Sequence, residues 1–315
     1  MQQVSIPHTP LRPSAICLGA AGWGSAVKQD DAQRLFDTFR AAGGNFFDTA
    51  HVYAAWIKDG AGLSERALGA CVRHVGARAG VVIASKGGHP DFKPNYPRPD
   101  AFLSPEVIQR DIADSLERLG TGYIDLYYLH RDDTRVPVGE IIDVLDAEAC
   151  AGRIRYPAAS NWSTQRMAAA NDYAATHGKL RLAASQVQWS LPVPRWEIKA
   201  DPTTRYLTPA DEAWHAASGV PVIPYSVTAD GYIASGGARG KGYDTPDNHA
   251  RLERAQKLAA ELKCTPGQIA IAWLINHPFP VIPVTGTSNA EHLADTIGAL
   301  DVKLTAEQVR WLREG

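Results

Sequence analysis

The sequence predicts a closed (β/α)8 barrel, a TIM barrel of class α/β, formed by a single domain over residues 1–315. Short apolar runs alternate with amphipathic segments from one end of the chain to the other, and no two strands follow one another. That order is the signature of a parallel sheet covered by helices. Eight such units fit within the 315 residues, which suits closure better than an open doubly wound sheet. The first apolar run leads into Gly19-Ala20-Ala21-Gly22-Trp23-Gly24. This loose glycine cluster does not match the G-x-G-x-x-G that opens a dinucleotide-binding open sheet.

In order, Ile16–Gly19 is followed by a helix over 30–42, and Asn45–Asp48 by one over 64–75. Val81–Lys86 precedes a helix opened by Ser104-Pro105-Glu106, with Ser as cap and Pro in the first turn. Val107, Ile108, Ile112, Leu116 and Leu119 recur there at helical spacing, and Gly120 ends the helix. Ile124–His130 precedes a helix over 138–151 stopped by Gly152, and Arg155–Ser160 one over 164–177 stopped by Gly178. Ala183–Gln188 leads through a long connection to 209–218. Val220–Tyr225 leads to 247–262 and 266–276, Val281–Val284 to 290–299, and 305–313 forms a tail helix. Three connections are long: 87–103, 190–208 and 228–246. All follow strands, so all belong to the C-terminal rim, where such a fold carries its chemistry.

The totals narrow the function classes. A hydrophobic content of 45%, a charged content of 21% and a net charge of −2 describe an ordinary soluble protein. They give no reason to expect a nucleic-acid or anionic-membrane partner. Cys17, Cys71, Cys150 and Cys264 stand far apart without a C-x-x-C pair, so neither a disulfide framework nor a thiolate metal site is expected, only buried reduced thiols. The opening Met-Gln-Gln-Val-Ser-Ile-Pro-His lacks the basic-then-apolar pattern of a signal peptide, and no apolar run approaches membrane-spanning length. A cytoplasmic protein is the expectation.

Four side chains stand out at or just past strand ends: Asp48, Tyr53, Lys86 and His130. A lysine closing an apolar run must find a counter-charge. If the strand ends are adjacent, Asp48 holds the Lys86 ammonium, and the ammonium is expected to lower the pKa of the Tyr53 phenol. His130 is then free to orient a carbonyl oxygen while the phenol gives it a proton. A hydride must come from a cofactor, since no side chain donates one.

These residues lie in F-F-D-T-A-H-V-Y, V-V-I-A-S-K-G and S-L-E-R-L-G-T-G-Y-I-D-L-Y-Y-L-H. With L-S-E-R-A-L-G, A-G-R-I-R-Y-P-A-A-S-N-W and P-V-T-G-T-S-N-A-E-H-L, the chain resembles the aldo-keto reductase superfamily from about residue 16 to residue 300. The resemblance implies a (β/α)8 barrel that reduces carbonyls with a nicotinamide cofactor. It implies Tyr53 as general acid, Lys86 and Asp48 as its tuning pair and His130 as carbonyl orienter. It further implies that Ser160, Asn161 and Gln186 hold the carboxamide and that Tyr225, in the Tyr225-Ser226 pair, stacks on the nicotinamide. Thr228 falls in the segment that wraps the pyrophosphate, and Gly286, Thr287, Asn289 and Asp295 in the one facing the adenosine end. Two departures qualify this. Asp230 brings a negative charge beside the phosphates, and Asn289 stands where many relatives carry an Arg for the 2′-phosphate. NADPH is the expected cofactor, with NADH as the alternative and Arg239 or Lys241 as compensating cations.

For substrate, Trp23, Trp56, Trp162 and Trp189 are expected to wall the pocket, with His51, Arg131, Asp132 and Arg195 as polar neighbours. Indole faces suit aromatic rings and the apolar faces of sugars, so a sugar-like or aryl aldehyde is expected. The partner is then a small carbonyl compound and the protein a monomer or weak homo-oligomer. Two other classes remain: a slow cofactor-binding regulatory protein of the same fold, and a lyase using Lys86 as a Schiff base. The neighbouring Asp48, which keeps the ammonium charged, argues against the lyase.

Overall fold

The computed structural model describes residues 1–76, 78–199 and 201–315. Its strands are β1 (Cys17–Gly19), β2 (Phe46–Asp48), β3 (Val82–Gly87), β4 (Ile124–Leu129), β5 (Ile154–Ser160), β6 (Ser185–Gln186) and β7 (Val284–Thr285). They pair in the order β6-β5-β4-β3-β2-β1-β7, every pair parallel. The opening between β6 and the last strand is closed by Val222, which bridges Ser185 on one side and Val281 on the other. Ile223 N donates to Ser185 O at 2.8 Å, and Ile282 N to Val222 O at 2.9 Å. The sheet is therefore a closed α/β barrel, as the sequence predicts. The expected strand Val220–Tyr225 is reduced to two separate bridging residues, Val222 and Tyr225, the latter pairing with Gln188. Pro221 and Pro224 interrupt it, and neither has an N–H to give the ladder.

The helices are α1 (Gln29–Ala41), α2 (Leu63–His74), α3 (Pro105–Leu119), α4 (Val138–Cys150), α5 (Thr164–Thr176), α6 (Trp196–Lys199), α7 (Pro209–Ser218), α8 (Pro246–Leu262), α9 (Pro266–Ile275), α10 (Ala290–Gly298) and α11 (Ala306–Glu314). Only α6, within the long 190–208 connection, is absent from the sequence-based expectation. Gly120 takes φ 63 at the end of α3, a left-handed conformation that stops the helix at little cost. Thr208, Thr265 and Thr305 each build a capping box. Ser104 has the extended backbone of an N-cap but makes no cap hydrogen bond. Its hydroxyl goes instead to the Glu106 carboxylate, whose pKa is lowered by its own backbone N–H and by this contact.

Strand alternation sorts the core into layers. Cys17, Phe46, Val82, Ala84, Leu126, Tyr128, Ala158, Ala184, Ile223 and Ile282 form the cluster inside the barrel, joined by Ile6 and Leu11 of the N-terminal segment. Asn45, at the entry to β2, accepts from Ser14 N at 2.6 Å and ties that segment to the N-terminal end. The intervening residues, among them Leu18, Phe47, Ile83, Tyr127 and Leu129, face outward onto α1 through α5. All four cysteines are free, but only Cys17 and Cys71 are buried. Cys150 is exposed at the end of α4 and Cys264 half-buried in the loop before α9, so the expectation of four buried thiols holds for two. No described helix is long and apolar enough to cross a membrane.

Candidate active site

Side chains two apart on a strand share a face. Asp48 therefore follows Phe46, Lys86 follows Val82 and Ala84, and His130 follows Leu126 and Tyr128, each apolar predecessor lying inside the barrel. Ser160 after Ala158, Gln186 after Ala184 and Tyr225 after Ile223 obey the same parity. Six polar side chains thus end six interior-facing series at one rim. The apolar interior makes them expensive to leave unpaired, and most are paired.

Lys86 is fully buried. Its Nζ donates to Asp48 Oδ1 at 2.5 Å, to Thr49 O at 2.9 Å and to Tyr53 Oη at 2.9 Å, so all three ammonium protons are used. Burial pushes the Lys86 pKa down, but the Asp48 carboxylate and the Tyr53 oxygen outweigh it, and the net direction is up. Asp48 Oδ2 accepts from Gln186 Nε2 at 3.0 Å. The Tyr53 loop is fixed through its backbone as well, His51 N donating to Lys86 O at 2.8 Å.

For Tyr53 the expectation is corrected. Burial raises the phenol's pKa more than Lys86 lowers it, and the net direction is upward from the ordinary value of 10.0. The phenol therefore stays protonated at neutral pH, with Lys86 moderating the rise. The His130 ring lies 5.7 Å from the Tyr53 ring, centroid to centroid, at 81°. Burial, then the charges of Arg131 and Lys86, hold the His130 pKa well below its usual value, so the imidazole is neutral.

Asn161 has φ 62, a left-handed conformation that Asn tolerates. Its Nδ2 donates to His130 O at 3.1 Å and Ser160 Oγ at 3.0 Å, and its Oδ1 accepts from Tyr225 Oη at 2.8 Å and Arg205 N at 3.1 Å. Ser160, Asn161, Gln186 and Tyr225 are thus brought together beside Asp48 and His130. Ser226, next in the chain, has φ 55.

A second group gathers further along the rim. A cleft of about 880 Å³ runs between Thr228, Gly231 and Arg239 on one side and Gly286, Thr287 and Asn289 on the other, with Asp295 also lining it. Asn289 caps α10, its Oδ1 accepting from Glu291 N at 2.6 Å. Asp295 accepts from Thr265 Oγ1 at 2.9 Å. Arg239 supplies a cation in the cleft, whereas Lys241 lies outside its lining. Asp230 also lines it.

The tryptophans depart from expectation. Trp23 and Trp162 are 1% and 2% exposed and belong to the layer outside the barrel, and Trp189 is equally buried in another cluster. Trp162 Nε1 donates to Arg131 O at 3.2 Å, so its indole packs under the rim rather than facing a ligand. Only Trp56, 50% exposed and 6.3 Å from the Tyr53 ring, remains at the opening. Of the polar neighbours, Asp132 is held by Arg166 at 3.1 Å. The Arg195 backbone N donates to Gly242 O at 2.7 Å. Arg131 is largely buried, with Nε on Thr203 Oγ1 at 2.8 Å and Nη2 3.6 Å from Asp201.

Behind the site lies a buried charge network that the sequence reading missed. Asp111 accepts from Arg98 Nη2 at 2.7 and 2.6 Å and from Gly88 N at 2.8 Å. His51 joins Tyr96 Oη at 2.6 Å and Asp114 at 3.1 Å. Glu65 takes Ser85 Oγ at 2.6 Å and Arg118 at 3.2 Å. The signal was present in α3: Asp111 and Ser115 fall on the same stripe as Val107, Ile108, Ile112 and Leu119. A carboxylate on a buried stripe needs partners.

This geometry meets a decisive comparison: residues 15–314 match the aldo/keto reductase family. The chain belongs to that family. It is 30% identical over 324 residues to the uncharacterized oxidoreductase YrpG of Bacillus subtilis (strain 168), covering 100% of this chain and 95% of the relative. It is 29% identical to the probable aldo-keto reductase 1 of Glycine max, over 95% and 83% of the two chains. It is 28% identical to the aldo-keto reductase str7 of Strobilurus tenacellus, over 94% and 84%. Family membership makes this chain an oxidoreductase of a class that reduces carbonyls with nicotinamide cofactors.

Proposed function

We propose that this aldo/keto reductase reduces an aldehyde or ketone with NAD(P)H, Tyr53 giving the proton to the carbonyl oxygen. The observation that carries the reading is the Lys86 ammonium, whose three protons are committed to Asp48, Thr49 and Tyr53. A lysine so occupied, and held charged, does not act as a Schiff-base nucleophile. It acts as a fixed positive charge beside a phenol oxygen, where it stabilises the phenolate left once the proton has gone. His130, neutral and 5.7 Å from the Tyr53 ring, is suited to donate a hydrogen bond to the same oxygen and align it.

The rim residues fit a dinucleotide. The cleft offers hydroxyls, backbone N–H groups at the start of α10 and the Arg239 cation, which suit phosphate oxygens. Ser160, Asn161 and Gln186 present amide and hydroxyl groups suited to a carboxamide, and Tyr225 an aromatic face. When bound, the nicotinamide supplies the hydride. Asn289 offers a polar contact without charge for a 2′-phosphate, and Arg239 is the cation nearest to that role, which supports NADPH with NADH as the alternative.

The test is aldehyde-dependent oxidation of NADPH and NADH, side by side, over short sugars, keto-sugars and aryl aldehydes. Turnover with at least one class is expected. Measurable cofactor binding with no oxidation across the panel would favour the regulatory reading instead.

A further inference from the structure

We propose that His89 is a specificity-determining residue that accepts a hydroxyl carried beside the reacting carbonyl, making hydroxyaldehydes and hydroxyketones the substrate class. The inference rests on the carbonyl-reductase reading above and deepens it.

His89 follows β3 closely, and its ring lies 5.0 Å from the His130 ring at 74°. Its Nδ1 is 2.8 Å from Pro90 O. A carbonyl oxygen only accepts, so Nδ1 carries the proton and Nε2 is left with a lone pair. Burial, reinforced by the Arg131 charge, pushes the His89 pKa down to about 4, so Nε2 remains an acceptor at neutral pH. The Tyr53 hydroxyl and the neutral His130 ring beside it are donors toward a carbonyl oxygen, while the Arg131 and Asp201 charges that reach His89 face each other at 3.6 Å. His89 Nε2 has no hydrogen-bond partner among the described residues. A substrate hydroxyl next to the carbonyl supplies the missing donor, and a plain aldehyde does not.

The loop around His89 is built to keep that acceptor in place. Gly88 N is tied to Asp111 at 2.8 Å, and Asp111 in turn grips Arg98 from the far end of the loop. Tyr96 is anchored through His51 to Asp114. Gly88 itself has φ 65, and a Cβ there would meet Leu103 Cδ2 at 2.4 Å, so the approach to His89 admits no side chain. A preorganised acceptor loses little entropy on binding, which is how one hydrogen bond becomes selective.

The test compares glyceraldehyde with propanal for the wild-type protein, His89→Phe and His89→Asn, reading the ratio of kcat/KM for the two aldehydes. Aldehyde hydration cancels when that ratio is compared between proteins. The ratio should fall roughly 2- to 12-fold in His89→Phe, the worth of one neutral hydrogen bond. His89→Asn, which keeps an acceptor, should retain most of it. Urea unfolding and NADPH binding check the fold of each variant, and His89→Ala carries the same comparison if the phenylalanine variant does not fold. A ratio unchanged in the variants overturns the assignment of His89 while leaving the reductase reading standing. Turnover of an aryl aldehyde with no oxidation of either cofactor by glyceraldehyde overturns the His89 assignment alone, and no oxidation across the whole panel overturns both.

Discussion

Replacing Asp48 by Asn removes a negative charge from beside an ammonium that has no contact with water. Lys86 is left with Thr49 O, the Tyr53 hydroxyl and a neutral amide. Breaking a buried ion pair from one side costs about 3–5 kcal/mol. An independent ceiling agrees: discharging a lysine of ordinary pKa at pH 7 costs about 5 kcal/mol, and the chain can always take that route. The amide adds a geometric conflict. Turned to offer its oxygen to Lys86, it points its NH2 at Gln186 Nε2, which donates to Asp48 in the wild-type protein.

The pH dependence separates this account from a generic packing defect. In the wild-type protein the folded Lys86 pKa is raised above its ordinary 10.5. Its stabilising contribution is therefore fully present below the unfolded pKa and is lost only as pH rises through the higher folded one. Between pH 7 and 9 both states hold the proton, and Lys86 adds no slope. In Asp48→Asn the burial effect remains and the main opposing charge is gone, so the folded pKa falls below the unfolded one. The unfolded state then binds more protons, and stability rises with pH by up to about 1.4 kcal/mol per unit. Urea unfolding at pH 7, 8 and 9 should show a gap between variant and wild type that narrows as pH rises. A loss below about 1 kcal/mol, or a gap constant across that range, would refute the charge arrangement.

Three further outcomes are expected. Tyr53→Phe should lower kcat for reduction about 100- to 10,000-fold with NADPH affinity nearly unchanged, since it removes the proton donor alone; near wild-type turnover would send the proton elsewhere. Because burial holds the Tyr53 phenol above its ordinary pKa, wild-type kcat/KM for reduction should stay level to about pH 9 and fall only beyond 10, and a falling limb below pH 9 would contradict that direction. Asn289→Arg should shift preference toward NADPH roughly 10- to 100-fold, the worth of a charge-assisted hydrogen bond, while losing about 1 kcal/mol of stability with the α10 cap; an unchanged NADPH-to-NADH ratio would remove Asn289 from the 2′-phosphate site. Asp111→Asn leaves Arg98 buried without its partner and should cost about 3–5 kcal/mol in urea unfolding, with faster amide exchange across 88–98; unaltered exchange there would mean the loop is held by other contacts.

Much of this was legible because the strands are interior on both faces and end at one rim. An apolar run closing on Lys86 already demands a counter-charge, and Asp48 two elements away in sequence was the nearest candidate. Helix ends were legible where chemistry marks them, as at Gly120 and Thr265. What escaped the sequence lay in tertiary geometry. Val220–Tyr225 reads as a strand by its apolar residues, yet Pro221 and Pro224 break it into isolated bridges at Val222 and Tyr225. The tryptophans near the rim have the right positions for a pocket wall, yet a large indole is as useful beneath the rim as on it, and packing took Trp23 and Trp162. Asn161 was legible as a polar rim residue but not as the amide that ties His130, Ser160, Tyr225 and the 190–208 connection together, since that depends on how a loop returns.

The charge balance at the site has a topological consequence. Lys86 is on β3 and Asp48 on the adjacent β2, so their pair is available to any partly formed sheet containing both strands. The second oxygen of Asp48 is satisfied from β6, which is separated from β2 along the sheet by β5, β4 and β3. That bond exists only across the interior of a curled sheet. A flat or open intermediate would leave one carboxylate oxygen without its amide, in surroundings too apolar to replace it. The buried ion pair thus reaches full hydrogen bonding only once the barrel has curled and closed through Val222. The same closure that completes the fold also completes the environment that holds Lys86 charged beside Tyr53.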